Sequence, residues 1–185
     1  MERDKAWSLV EEFASSDSLK KHLMAVEKSM MAYAVSIGED PNTWGIAGLL
    51  HDFDWEACPS PEQHPEYGAA ILQERGYPAE IIRAIMSHGN HTGVSRDTRM
   101  EKALFALDEL SGFVTAVALV RPSKSLSDTS VKSVRKKMKD KGFARNVNRE
   151  DIIQGADELG VELDELVKFV IGALKPISKE LGLNP

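Results

Sequence analysis

The residues best suited to metal chemistry in this chain are its five histidines, which all lie between positions 22 and 91. One of them, His51, is followed directly by Asp52 at the end of an apolar segment, residues 44–50. Neutral imidazole and carboxylate groups are suitable ligands for first-row divalent metals. Because two adjacent side chains cannot surround an ion, the remaining ligands must come from other parts of the chain. The His51-Asp52 pair therefore predicts a metal site built from several elements.

Asp108 is the strongest distant candidate for a further ligand. It lies in the otherwise apolar stretch 103–110, where a carboxylate that faces the core is costly unless it is paired or bound to a metal. Ser111, Gly112 and Thr115 follow at three-, four- and seven-residue steps, which places them on the same helical face. These small residues are expected to leave room for a pocket.

The metal-binding candidates occur in the order His22, His51-Asp52, Asp108. This order resembles that of the HD-domain superfamily (HDIG type) of metal-dependent phosphohydrolases, over about residues 17–120. The additional His64 and His88 make the chain similar to the subset that binds two metals. The resemblance implies that the first metal is held by His22, His51, Asp52 and Asp108. It implies that the second is held by His64 and His88, with Asp52 bridging the two.

The chemistry implied by the resemblance is hydrolysis of a phosphate ester by metal-activated water, with His51 and Asp52 as catalytic residues. Two ions can polarise phosphoryl oxygens and generate hydroxide near neutral pH, so the protein would supply no covalent nucleophile. One or two divalent ions are expected. Histidine-rich coordination favours iron, manganese, cobalt, nickel or zinc over calcium, and magnesium stays open.

Three further residues are candidates for substrate binding. His91 either replaces His88 as a metal ligand or contacts a substrate phosphate, and His88 is preferred as the ligand. Arg121 and Lys124 follow the predicted helix that contains Asp108, and we expect them to contact phosphate.

The loop from position 52 to about 64 contains two further acids and an indole close in sequence to His51-Asp52. Asp54 and Glu56 are interpreted as partners of metal-bound histidines, as a general base, or as solvated acids, with a slight preference for solvated acids. Trp55 either walls a substrate pocket or packs in the core, which is the commoner fate of such residues.

The elements that position these residues are predicted to be helices. Apolar residues recur at three- and four-residue steps, and no convincing two-residue alternation is present. Helix starts are indicated by Asp17 or Ser18, by Thr98 with Glu101, and by Asn148. The predicted helices cover about residues 7–13, 17–38, 44–50, 65–76, 78–88, 98–119, 128–141, 148–159 and 163–181.

The predicted fold class is therefore all-α, and the resemblance implies a compact helical HD-domain bundle with additional C-terminal helices. We predict one domain over residues 1–185, with the metal-binding core at about 17–120 and the additional helices at about 125–182. A chain of this length can bury a substantial core without a metal or a disulfide.

Composition and charge exclude several classes of protein. The net charge of −6 divides into +7 on residues 132–149 and −13 on the rest, so a general nucleic-acid binder is not expected. The basic segment is interpreted as a solvated face or as a rim that attracts anionic substrates.

The single cysteine, Cys58, excludes an internal disulfide. The longest strongly apolar run without charge, residues 110–120, is too short for a membrane span, and the N-terminus lacks a signal-peptide pattern.

These features predict a cytoplasmic protein whose partner is a small anionic phosphate-containing substrate, with no membrane and no specific nucleic acid. Homo-oligomerisation stays open. Two other functions are compatible with the same residues. One is a mixed-valence di-iron oxygenase of the HD type, and the other is a non-catalytic HD module that senses a nucleotide.

Overall fold

The computed structural model describes residues 2–185, and its regular structure is helical. Nine α-helices run in this part of the chain: α1 (Arg3–Phe13), α2 (Asp17–Ile37), α3 (Pro41–Leu50), α4 (Glu66–Glu74), α5 (Ala79–His88), α6 (Arg99–Leu119), α7 (Val131–Met138), α8 (Arg149–Leu159) and α9 (Leu163–Leu174). Short 3-10 turns cover Pro61–Gln63, Asn90–Thr92 and Lys175–Ile177. Between residues 2 and 185 the only β-type pairing is an isolated bridge that joins Ser125 and Asn184. The all-α prediction is confirmed.

Several helices begin at side chains that satisfy the free backbone amides of the first turn. Thr98 and Glu101 form the predicted capping box of α6, and Asn148 accepts from two amides at the start of α8, as predicted. The predicted cap of α2 was wrong by one or two residues. Ser16 caps this helix, because its hydroxyl accepts from the Leu19 amide while Asp17 is already helical.

The long helices α2 and α6 form the centre of the bundle, and α3 packs closely along α2. Their buried faces meet through large apolar side chains such as Leu23, Met30, Leu107 and Phe113. The approach of α3 to α2 depends on Gly48, because a Cβ at this position would lie 2.9 Å from the Val26 carbonyl oxygen. This contact brings the end of α3, where His51 lies, next to α2.

The C-terminal helices pack against the helices that carry the predicted metal ligands. α8 lies along α6, and α9 contacts both α2 and α6. The predicted helix 163–181 is too long, since α9 ends at Leu174 and a 3-10 turn that contains Pro176 follows. The basic helix α7 is also shorter than predicted. The assignment of residues 1–185 to one domain remains a prediction.

Among residues 2–185, none of the helices has the length and apolar character needed to cross a membrane.

Candidate metal centre

The first group of candidate ligands joins three helices. His22 lies on α2, His51 directly follows α3, and Asp108 lies in the middle of α6. His22 Nε2 lies 3.0 Å and His51 Nε2 lies 3.2 Å from Asp108 Oδ1. The two ring nitrogens are 3.2 Å apart. We call these three residues the first triad.

The second triad consists of Asp52, His64 and His88. His64 Nε2 lies 3.0 Å and His88 Nε2 lies 3.2 Å from Asp52 Oδ1, and the two Nε2 atoms are 3.3 Å apart. The triads adjoin through consecutive residues, because Asp52 Oδ2 lies 3.5 Å from His51 Nε2. Asp52 therefore presents one carboxylate oxygen to each triad.

The outer nitrogens of three imidazoles are held by fixed acceptors. His51 Nδ1 lies 2.8 Å from the Gly48 carbonyl oxygen, and His88 Nδ1 lies 2.5 Å from the Ile85 carbonyl oxygen. A carbonyl oxygen only accepts hydrogen bonds, so each Nδ1 carries a proton, and in the neutral ring Nε2 then has the lone pair that faces the cleft. The helix backbone thus sets the tautomer that a metal requires.

Asp54 holds the third imidazole and corrects the interpretation of this residue as a solvated acid. Its carboxylate is fully buried, accepts from His64 Nδ1 at 2.9 Å and accepts from the Gly68 amide at 2.9 Å. Gly68 has to lack a side chain, because its Cβ would lie 2.7 Å from the carboxyl carbon of Asp54. Asp54 is therefore an orienting partner of His64.

Glu56 is exposed, and its role lies outside the triads. Its carboxylate accepts from the Ser15 amide and the Ser15 hydroxyl, both at 2.7 Å, and from the Ser16 amide at 3.0 Å. Hydrogen bonds from Ser16 and Ser15 lower the pKa of Glu56 to about 2. This residue ties the loop after α3 to the connection between α1 and α2.

The second triad has the donor chemistry of a cation site. Asp52 Oδ1 is buried, and the nearby Nε2 atoms of His64 and His88 do not satisfy the geometry of hydrogen bonds to it. Since both rings carry their protons on Nδ1 when neutral, three acceptor atoms converge there. Such an arrangement is unfavourable unless a positive charge lies among the acceptors. Imidazole nitrogen with carboxylate oxygen is a ligand set for first-row divalent metals, so these residues fit the implied ion.

The pKa values show how the metal-free site balances its charge. Burial alone would lower the pKa of His51, but the charges of Asp52 and Asp108 outweigh burial and raise it to about 10. His64 follows the same pattern, because Asp52 and Asp54 overcome burial and raise its pKa to about 9. Burial would raise the pKa of Asp108, yet the adjacent His51 and His22 hold it well below its usual range. Without metal, protons supply the positive charge that the carboxylates need.

Both triads open onto a cleft of about 520 Å³. Beyond the triads, its walls include Trp55, His91, Phe105, Glu109 and Asp151. Trp55 is 48 % exposed, so its preferred assignment to the core was wrong.

Glu109 and Phe105 belong to the cleft because they share a helical face with Asp108. The steps of three and four residues from 105 to 108, 109 and 112 form one stripe on α6, a signal that was present in the sequence. Burial, followed by the charge of Asp108, raises the pKa of Glu109 to about 8. Gly112 on this stripe does not leave a pocket as expected, since its missing Cβ makes room for the His22 ring, 3.3 Å away.

The structure does not bring together all the predicted substrate contacts. His91 lines the cleft, and its Nε2 donates to the His64 carbonyl oxygen at 2.6 Å, so the second triad contains His88 rather than His91. Arg121 and Lys124 lie beyond the C-terminal end of α6 and do not line the cleft. The eleven residues from Asp108 to the end of α6 span about 16 Å, which is too far for these two side chains to contact a phosphate at the triads.

Comparison with known proteins agrees with this geometry. A family model described as HD domain matches residues 19–112, about half of the chain, and this range contains every residue of both triads. The chain belongs to the HD-domain family, whose members are mostly metal-dependent phosphohydrolases. No curated protein and no solved structure matches the chain.

Proposed function

We propose that this protein is a metal-dependent phosphohydrolase that cleaves a phosphate ester of a small molecule or nucleotide. The observation that carries the proposal is the pair of adjacent triads, in which ring nitrogens and carboxylate oxygens converge at the floor of one cleft. The volume of the cleft, about 520 Å³, is in the range of small-molecule sites.

The six triad residues would hold one or two divalent ions, with His22, His51 and Asp108 on one side and Asp52, His64 and His88 on the other. Bound divalent ions supply electrophilic polarisation of a phosphoryl group and a water of lowered pKa. Asp52 is the residue that faces both groups, so we assign it the bridging role. His51 and Asp52 are the proposed catalytic residues.

The remaining contribution of the protein is orientation. The carbonyl oxygens of Gly48 and Ile85 and the carboxylate of Asp54 keep the Nδ1 atoms of three imidazoles turned away from the cleft. This arrangement directs Nε2 of His51, His88 and His64 inward before any ligand arrives. Preorganised ligands of this kind reduce the cost of binding and of reaching the transition state.

The proposal is tested with metal-loaded protein and a panel of phosphomonoesters that includes p-nitrophenyl phosphate, sugar phosphates and nucleoside monophosphates. Metal content is measured by elemental analysis, and phosphate release is followed over time. We expect Asp52→Ala to reduce kcat/KM more than about a hundredfold. The matched control is Asp128→Ala, an exposed aspartate after α6, which should retain the activity.

Three outcomes count against the hydrolase. Metal-loaded protein that releases no phosphate from any ester would contradict the proposal. Two bound irons with substrate-dependent oxygen consumption would assign the HD-type oxygenase instead. Ligand binding and biological activity that survive Asp52→Ala, in a variant shown to have lost its metal, would assign a non-catalytic sensing module.

A further inference from the structure

The cleft wall beyond the triads carries a distinctive set of charges. Among the residues described, none of those that line the cleft is a lysine or an arginine. Its titratable side chains beyond the triads are His91 and two acids, Glu109 and Asp151. Arginine and lysine are the side chains that commonly bind the additional phosphates of a polyphosphate ligand.

Two arginines close to this wall, Arg96 and Arg149, are held by partners outside the cleft. Arg96 stacks 3.7 Å from the centre of the Phe105 ring, and its guanidinium pairs with Glu158 at 2.7 and 2.8 Å. Arg149 donates to the carbonyl oxygens of Ala144 at 2.7 Å and Val147 at 2.6 Å. Neither arginine is among the residues that line the cleft.

Asp151 is held in place as an acceptor. The side-chain amide of Asn90 donates to its Oδ1 at 3.1 Å, and that of Asn148 donates to its Oδ2 at 2.8 Å. Each carboxylate oxygen has capacity for a second hydrogen bond, so Asp151 can still accept from a ligand. Asn90 and Asn148 also line the cleft, so amides and acids make up this polar wall.

Trp55 supplies the aromatic part of the wall. Its ring meets the His64 ring edge to face, with centroids 5.1 Å apart, which places the indole next to the second triad. Because the residue is half-exposed and lines the cleft, the indole is accessible to a ligand. The face of an indole attracts cations and repels anions.

We propose that the substrate carries a single phosphoryl group on an alcohol part that is not anionic and that donates hydrogen bonds, such as an amino alcohol. The inference rests on the proposed function, because the triads would take the phosphoryl group. The polar wall and Trp55 then face the alcohol part, where Asp151 accepts from ammonium or hydroxyl groups. A second phosphate or a carboxylate in that position meets the carboxylate of Asp151, and no lysine or arginine is among the described residues that line the cleft.

The test uses three esters of similar size: aminoethyl phosphate, ethyl phosphate and carboxymethyl phosphate. We expect kcat/KM of metal-loaded protein to fall in that order, with about tenfold or more between the ammonium and carboxylate esters. Asp151→Asn should narrow this ratio at unchanged metal content. The matched control is Asp157→Asn, an exposed acid on the same helix as Asp151, which should keep the ratio.

A binding measurement separates this inference from the proposed function. Calorimetric titration of metal-loaded protein compares aminopropylphosphonate with phosphonopropionate, which carries a carboxylate where the other carries an ammonium. Tighter binding of the ammonium compound, about tenfold, supports the assignment of the wall even where no ester is hydrolysed. Equal affinity for the two compounds, or preference for the carboxylate compound or for carboxymethyl phosphate, would overturn it while leaving the hydrolase proposal intact.

Discussion

The nitrogen that each imidazole turns away from the cleft determines what its other nitrogen can do. His51 and His88 place Nδ1 against carbonyl oxygens of their own helices, three residues earlier in the chain. His64 follows a short 3-10 turn, and its Nδ1 donates to the carboxylate of Asp54 instead of a carbonyl oxygen. A buried carboxylate as partner also makes the imidazole a stronger base and hence a stronger metal ligand.

Replacement of Asp54 by asparagine is expected to weaken metal binding at the second triad by about 10- to 100-fold. The asparagine keeps the size of the side chain but removes the charge that orients His64 and increases its basicity. Metal affinity is measured by calorimetric titration, with a fold check by circular dichroism.

Glu62→Gln is the control for this variant, because Glu62 lies in the same loop and is exposed. Glu62→Gln should bind metal like the parent, and equal metal affinity of Asp54→Asn and the parent would show that the buried carboxylate does not act on His64.

Glu56→Gln is expected to lower the free energy of unfolding at neutral pH. Hydrogen bonds from Ser16 and Ser15 lower the folded-state pKa of Glu56 to about 2, below its value in an unfolded chain. The stabilisation is therefore complete above the unfolded pKa, about 4.3, and is lost as the pH falls through the folded pKa. Urea unfolding measured from pH 7 to pH 2 should show the variant and the parent converging. A difference that grows as the pH falls would contradict this assignment.

At the scale of elements, the site depends on how closely α3 approaches α2. A Cβ at Gly48 would lie 3.0 Å from both the Cα and the amide nitrogen of Glu27, and neither atom can move without shifting α2. The same glycine supplies the carbonyl oxygen that holds His51 Nδ1. One residue thus sets both the helix separation and the orientation of a ligand.

Gly48→Ala is expected to destabilise the fold by about 1–3 kcal/mol and to reduce metal binding at the first triad, since it separates His51 from His22. Chemical unfolding and metal titration measure the two effects. Gly172→Ala is the matched control, because Gly172 lies within α9 and nothing lies within 4 Å of an added Cβ. This control should gain about 0.5–1 kcal/mol, as expected for alanine in a helix. Equal stability of the two variants would exclude a special role for the α2–α3 contact.

Elements with local signals could be predicted from the sequence, and long-range contacts could not. The capping box of Thr98 and Glu101 and the cap at Asn148 consist of neighbouring residues, so both were correctly located. The burial of Asp54 depends on Gly68, fourteen positions away, and no spacing rule identifies that partner. Arg121 was placed near phosphate because it follows the Asp108 helix, but α6 carries it away from the cleft. The order of the ligands predicted the triads because the family pattern already contains their spatial arrangement.

At the scale of the whole molecule, the charge is divided between distinct regions. Residues 132–149 carry a net charge of +7, while the cleft beyond the triads is lined by acids and amides. The segment reaches the cleft through Asn146 and Asn148, whereas its lysines and arginines do not line it. Positive charge outside the cleft can attract a phosphate ester over a Debye length without holding a second phosphate inside.

The core of the bundle does not depend on the metal centre. Apolar residues such as Leu23, Met30 and Phe113 are fully buried, and a chain of 185 residues buries enough surface to fold without an ion. Bound metal should therefore increase the free energy of unfolding of a protein that already folds without it. A free ion at a hundred times its Kd stabilises the folded state by about 2.7 kcal/mol, which raises Tm by about 5–10 °C for a chain of this size.

Thermal unfolding by calorimetry, with metal and after treatment with a chelator, measures this difference. We expect the chelated protein to unfold cooperatively at the lower Tm, and Asp52→Ala to show a much smaller response to metal, because it removes the oxygen donors that the two triads share. Asp128→Ala should respond like the parent, since that aspartate is exposed and lies outside the triads. Loss of cooperative unfolding after chelation would mean that the ion is required for folding.

An unchanged Tm over the whole metal range would mean that the triads do not bind the ion tested. Retention of a cooperative transition without metal, together with a metal-dependent rise that Asp52→Ala largely abolishes, assigns the ion to chemistry rather than to the scaffold.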